Sequence, residues 1–121
     1  MKTLYNLLLI LPIIDLGKFT KQKEIKKAYL VNSDAGISIK NTYGSVYVTT
    51  WDEDKIELFV NIKVSGDNEK WVQKRIDDID VNIEALKSMV TAETILTKSL
   101  YSFNGKDNSF EINYTIKIPK N

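Results

Sequence analysis

Apolar and polar residues alternate most strictly from Ile56 to Val64. Ile56, Leu58, Val60, Ile62 and Val64 fall on one face, and Glu57, Phe59, Asn61 and Lys63 on the other. A period of two is what a strand with one buried face requires. Five apolar side chains on one strand represent on the order of 10 kcal/mol of gross burial, so other elements must cover them. The stretch before it, Ser45–Trp51, also alternates and is rich in β-branched and aromatic residues. Between the two, Asp52-Glu53-Asp54 is polar and turn-prone. The pattern predicts an antiparallel hairpin over Gly44–Val64, around which the rest of the chain is organised. A second clean strand is Phe110–Pro119. It places Phe110, Ile112, Tyr114, Ile116 and Ile118 against Glu111, Asn113, Thr115 and Lys117, and Pro119 ends it.

Between these strands the period changes. Ser65–Asn68 breaks the alternation, with Asp67 as the expected N-cap and Glu69 suited to the positive end of a helix. From Asn68 to Ile79, Trp71, Val72, Ile76 and Ile79 form one helical stripe. An amphipathic helix of about three turns follows, with the hairpin face as its natural partner. Its polar face carries both signs of charge, which favours core packing over a membrane surface. Val81–Leu86 alternates as a strand, and Val90, Thr91, Thr94, Ile95 and Thr97 favour a strand over Ser88–Lys98. Tyr101–Ser109 reads as a loop. Upstream, Thr20–Lys27 reads as a basic linker and Ile25–Val31 as a strand with Ala28, Leu30 and Ile25 on its buried sides. Ile37–Lys40 is a short strand, expected to pair with its predecessor or with the hairpin. Asn41–Gly44 is a turn in which Gly44 is free to take a positive φ. The whole predicts a mainly β fold: an antiparallel sheet or small sandwich of six to seven strands, with one amphipathic helix packed on it.

The first twenty residues differ from the rest. Lys2 precedes a mostly apolar run, Leu4–Ile14, too short for the ~20 residues that span a bilayer. This predicts a secretory signal segment over 1–20, removed near Gly17–Thr20. A β-rich domain would then remain at 21–121, in the periplasm or at the cell surface, with no integral membrane segment. No small-residue cleavage pattern follows the run, and Asp15 is polar, so the other reading is a buried N-terminal strand or helix.

Composition narrows the chemistry. A chain of 121 residues makes one domain with a core of useful size. Seventeen basic and sixteen acidic residues give no electrostatic case for nucleic acid. Cysteine and histidine are both absent, which excludes disulfides, thiolate metal sites, cysteine nucleophiles and histidine general bases. No catalytic, cofactor-binding or metal-binding residue is assigned, and a non-enzymatic protein without a cofactor is expected. The acidic tip Asp52–Asp54 lacks the glycine and distal glutamate of a calcium loop and reads as a solvated turn. Asp77, Asp78 and Asp80 cluster where acids oppose the helix dipole, a hint of a cation site with a plain surface cluster as the simpler reading. Tyr43, Tyr47, Trp51 and Phe59 form the candidate binding surface, with Tyr101 and Phe103 also noted. Tyr47 and Phe59 lie on the polar-patterned faces of their strands. They make either a cross-strand pair under a second layer or an exposed platform for glycan or protein.

Residues 41–58, NTYGSVYVTTWDEDKIEL, carry an Asn-x-Tyr-Gly-x-Val step, a Thr-Thr-Trp, an acidic turn and a long alternating strand. In Asn41, Tyr43, Gly44, Val46, Thr49, Thr50, Trp51 and Asp52 the chain resembles an adhesin-like domain family of bacterial exported proteins, a family of unknown activity. Trp71–Val81 and Glu111–Pro119 look similar as well, so the resemblance covers most of 21–121. It implies the head portion of a β-rich envelope protein. Repeats of the step, which stack as β-solenoid rungs in such proteins, occur only once here. The resulting expectation is an exported, non-enzymatic domain for surface presentation or for binding a glycan or an envelope protein. The alternative is a periplasmic structural or regulatory partner domain of an envelope-stress system.

Overall fold

The computed structural model describes residues 7–15, 18–96 and 108–121, with side chains for 19–96 and 108–121. The elements are β1 Leu7–Asp15, β2 Lys18–Leu30, β3 Gly36–Lys40, β4 Val46–Trp51, β5 Lys55–Gly66, α1 Glu69–Asp77, β6 Ile79–Ala85, β7 Met89–Leu96 and β8 Ser109–Pro119. They form a five-stranded sheet in the order β1-β2-β5-β8-β4 and a three-stranded sheet in the order β3-β7-β6. The fold class is the expected one, mainly β with a single helix.

Alternation in β5 has the predicted consequence. Ile56, Leu58, Val60, Ile62 and Val64 are all fully buried, as are Ile112, Tyr114 and Ile116 of the neighbouring β8. Their shared inner face is covered by Val72 and Ile76 of α1 and by Val90 and Ala92 of the second sheet, in one continuous core. The helix packs on β5 and β2. Its N-cap is Asn68 rather than Asp67: the Asn68 side chain accepts a hydrogen bond from the Trp71 N–H at 3.0 Å.

Strand pairing departs from the sequence expectation in three places. β4 and β5 are not a hairpin. β8 lies between them, antiparallel to β5 and parallel to β4. The Asp52–Asp54 connection therefore crosses the end of β8, where the Lys120 N–H donates to Trp51 O at 3.1 Å. β3 pairs neither with β2 nor with β5 but runs parallel to β7. The segment expected as a linker belongs to β2, which runs unbroken from Lys18 and pairs with β5 along its length. One local expectation changes with it. Leu30 points to the outer side and is 48% exposed. β1, the apolar stretch read as a signal segment, is paired antiparallel with β2 at the sheet edge, and its main contact is with that strand.

The basic run at 21–27 hid this strand because its inner face is lined with lysine. Lys21 stands opposite Val64, and Lys23 opposite Ile62. Lys23 is only 9% exposed. Its ammonium donates to Ile76 O at 3.3 Å and Ile79 O at 2.8 Å, just past the helix C-terminus. A cation there meets the negative end of the helix dipole while its stem packs in the core. Lys21 Nζ donates to Gln73 Oε1 at 2.6 Å.

Candidate functional site

Register places three of the four candidate aromatics on the outer face of the five-stranded sheet. Thr115 of β8 stands beside Tyr47 of β4 on one side and Phe59 of β5 on the other. Phe59 in turn stands beside Lys26 of β2. One row therefore runs Lys26, Phe59, Thr115, Tyr47 across four strands. Neighbouring strands lie about 4.8 Å apart, so Tyr47 and Phe59 are about 10 Å apart with Thr115 between them. They are not the cross-strand pair that a β4–β5 hairpin would have made. Tyr47 is 62% exposed. Phe59 is half-buried, with Lys26 Nζ 5.2 Å from its ring centroid, a distance at which the ring quadrupole attracts the ammonium.

Trp51 shares that face but has a different task. Its indole N–H donates to Lys55 O at 2.8 Å, closing the connection over the end of β8. The Lys117 and Lys55 ammonium groups lie 5.1 and 5.5 Å from its ring centroid. The ring is thus half-buried and held by two cations. Tyr43 is set apart from the other three. Its ring packs on Phe110, centroids 5.2 Å apart, beside a depression of ≈ 470 Å³ also lined by Gly44, Lys63, Ser65 and Glu111.

Asn41, Tyr43 and Gly44 form a junction between the two sheets. Asn41 Nδ2 donates to Ile112 O at 2.9 Å, while its Oδ1 accepts from Thr94 Oγ1 at 3.1 Å. The Thr94 hydroxyl also bonds the buried Tyr114 hydroxyl at 2.8 Å. Tyr43 O accepts from the Ile112 N–H, Ser45 O accepts from the Tyr114 N–H, and the Ser45 N–H donates to Asn113 Oδ1. Gly44 is pressed against β8: a Cβ there would collide with Ile112 O. Glycine is needed at this position for close approach, not for a positive φ. Burial raises the Tyr114 phenol above its ordinary pKa; the Thr94 bond lowers it and the charge of Glu93 raises it further. Burial alone raises that of Tyr29.

Asp52, Glu53, Asp77, Asp78 and Asp80 are engaged with neighbours. Asp52 meets Lys120 at 2.7 Å and Glu53 meets Lys55 at 3.2 Å. Asp77 accepts from Gln73 Nε2, Asp78 faces Arg75 at 3.5 Å, and Asp80 accepts from the Val81 N–H. Among the described residues no three acids converge to hold a metal ion, and no helix is long and apolar enough to cross a membrane. Tyr101, Phe103 and the expected cleavage point lie outside the residues whose side chains and surroundings are described, apart from Phe19 and Thr20.

Sequence reasoning missed Lys26, Thr115 and Lys117 as parts of the outer face. Lys26 was hidden in the supposed linker, and the other two gain their place only through the insertion of β8 beside β4. The parity of Tyr47 and Phe59 with polar positions was the available signal. No family model, curated protein or solved structure matches the chain.

Proposed function

We propose that this chain is a non-enzymatic binding domain of an exported, adhesin-like envelope protein, and that it binds glycan through the outer face of the five-stranded sheet. The row Lys26, Phe59, Thr115, Tyr47 carries the proposal. Two aromatic rings about 10 Å apart on a rigid sheet present apolar faces on which sugar rings can stack. Thr115 between them and the lysines beside them supply hydrogen bonds. A platform spread over four hydrogen-bonded strands is preorganised, so little is lost in ordering it on binding.

The export element of the proposal rests on the apolar run before β2. As an edge strand held mainly by β2, it can be lost without opening the β2-β5-β8 core. Intact mass in fractionated cells tests that element: loss of about twenty residues in the envelope fraction is expected, and a full-length mass in the cytoplasm refutes it. Binding is tested by screening the chain against a glycan array and following hits by NMR. Tyr47→Ala and Phe59→Ala should each abolish the hits while leaving the fold intact. Absence of hits, or hits that survive both substitutions, refutes the platform.

A further inference from the structure

The two sheets have four edges among the described residues, β1, β4, β3 and β6. An open edge is a template for a further strand, and charge, proline or brevity normally guards it. β1 carries Pro12 and Asp15, β3 has five residues and ends on Lys40, and β6 carries Asp80 and Glu84. β4 has no such guard. From Asn41 to Trp51 the chain has no charged residue and no proline.

The hydrogen-bonding groups of β4 are divided by parity. Ser45 O and Trp51 O accept from β8 and its continuation, so odd residues turn their backbone groups towards β8. Val46, Val48 and Thr50 turn theirs outward, and no partner for them exists among the described residues. The same residues stand beside Tyr114, Ile116 and Ile118 of β8 and so point their side chains to the inner side. Val46 is 42% and Val48 40% exposed.

We propose that β4 pairs antiparallel with β4 of a second copy of this chain, across a two-fold axis at Val48. In that register Val48 exchanges both backbone bonds with its symmetry mate, and Val46 and Thr50 exchange theirs with Thr50 and Val46 of the other copy. Every outward group of the strand is then bonded. Val48 packs beside Val48, and Val46 beside Thr50, so the uncovered valines shield one another. A neutral strand gives a charged partner strand nothing to recognise, whereas two neutral copies meet without repulsion. The two five-stranded sheets become one continuous sheet with the aromatic rows on the same side. This pairing does not depend on the glycan reading.

The test needs no ligand. Sedimentation of the full chain from micromolar to millimolar concentration should show its mass doubling. Over the same range, amide exchange at Val46, Val48 and Thr50 should slow at least tenfold. Tyr47 and Thr49, already bonded to β8, should not change. Val48→Lys sets like charges face to face on the axis and should return the chain to a monomer with an unchanged circular dichroism spectrum. Val48→Pro, which removes only an outward N–H, is the second variant and should do the same. A chain that stays monomeric throughout overturns the proposal. So does a dimer that survives both substitutions, or one in which these three amides keep exchanging at the monomer rate.

Discussion

Replacing Lys23 by methionine tests the packing of the helix on the sheet. Methionine keeps the length and apolar stem of lysine, so the space between β2 and α1 stays filled. What disappears is the ammonium and its two bonds, to Ile76 O at 3.3 Å and Ile79 O at 2.8 Å. Bonds to a charged group contribute about 1.5–3 kcal/mol each. Methionine also avoids the cost of burying a charge, which offsets part of that loss. The balance is a destabilisation of about 3 kcal/mol. With an unfolding entropy of about 2.1 cal/mol/K per residue, a chain of this length should melt roughly 12 °C lower, as read by calorimetry. Lys21→Met is the internal comparison. Lys21 bonds a side chain, Gln73, and stands 4.0 Å from the exposed Glu69. Its loss should cost about 1 kcal/mol, or roughly 4 °C. If Lys23→Met melts within ~2 °C of the parent, or no lower than Lys21→Met, the ammonium is not holding the helix end. A higher melting point would mean that desolvation outweighs both bonds.

Three further outcomes are expected. Gly44→Ala should destabilise by more than about 2 kcal/mol in urea unfolding, because its Cβ would collide with Ile112 O and lie 2.8 Å from the Ile112 carbonyl carbon; an effect below about 0.5 kcal/mol would refute the close approach. Asn68→Ala should cost about 1 kcal/mol and Asp67→Ala much less, since only Asn68 caps the helix; equal losses would refute that assignment. Stability should fall at alkaline pH. The Tyr29 and Tyr114 phenols titrate above 10.0 in the folded chain, so their contribution is complete below pH 10 and is lost as pH rises through the raised folded values. Tyr114→Phe should cost about 1 kcal/mol at neutral pH and flatten the alkaline decline in melting temperature; an unchanged slope would remove Tyr114 from the account.

Faces were legible in the sequence and partners were not. Every inner position of β5 was read correctly because period two encodes which side is buried. The same period cannot say which strand lies alongside. β8, far away in sequence, enters between β4 and β5, and β7 takes β3. The first half of β2 reads as a linker because Lys21 and Lys23 occupy its inner face, and the reason Lys23 can be buried, the carbonyls at the end of α1, belongs to tertiary structure. Leu7–Asp15 shows the reverse difficulty. A short apolar run suits a signal segment and a paired strand alike, since hydropathy measures aversion to water and not the partner. For the candidate surface, the outward parity of Tyr47 and Phe59 was visible, but their separation and the flanking cations follow from the strand order.

The strand order also separates two kinds of residue within the stretch that resembles the adhesin-like family. Asn41 bonds β8 and β7, Gly44 admits the chain to β8, and Trp51 closes the crossing over the end of β8. These are folding tasks, set by where the chain passes from one sheet to the other. Tyr47, Lys26 and Phe59 of the outer row are not among the positions that carry the resemblance, and Thr115 lies in Glu111–Pro119, which looks similar as well. Asn41, Gly44 and Trp51 therefore account for architecture, and on the proposed glycan reading recognition falls to Lys26, Tyr47, Phe59 and Thr115. On that reading, exchanging Lys26, Tyr47, Phe59 and Thr115 should change glycan binding without disturbing the fold, whereas exchanging Asn41 or Gly44 should disturb the fold first.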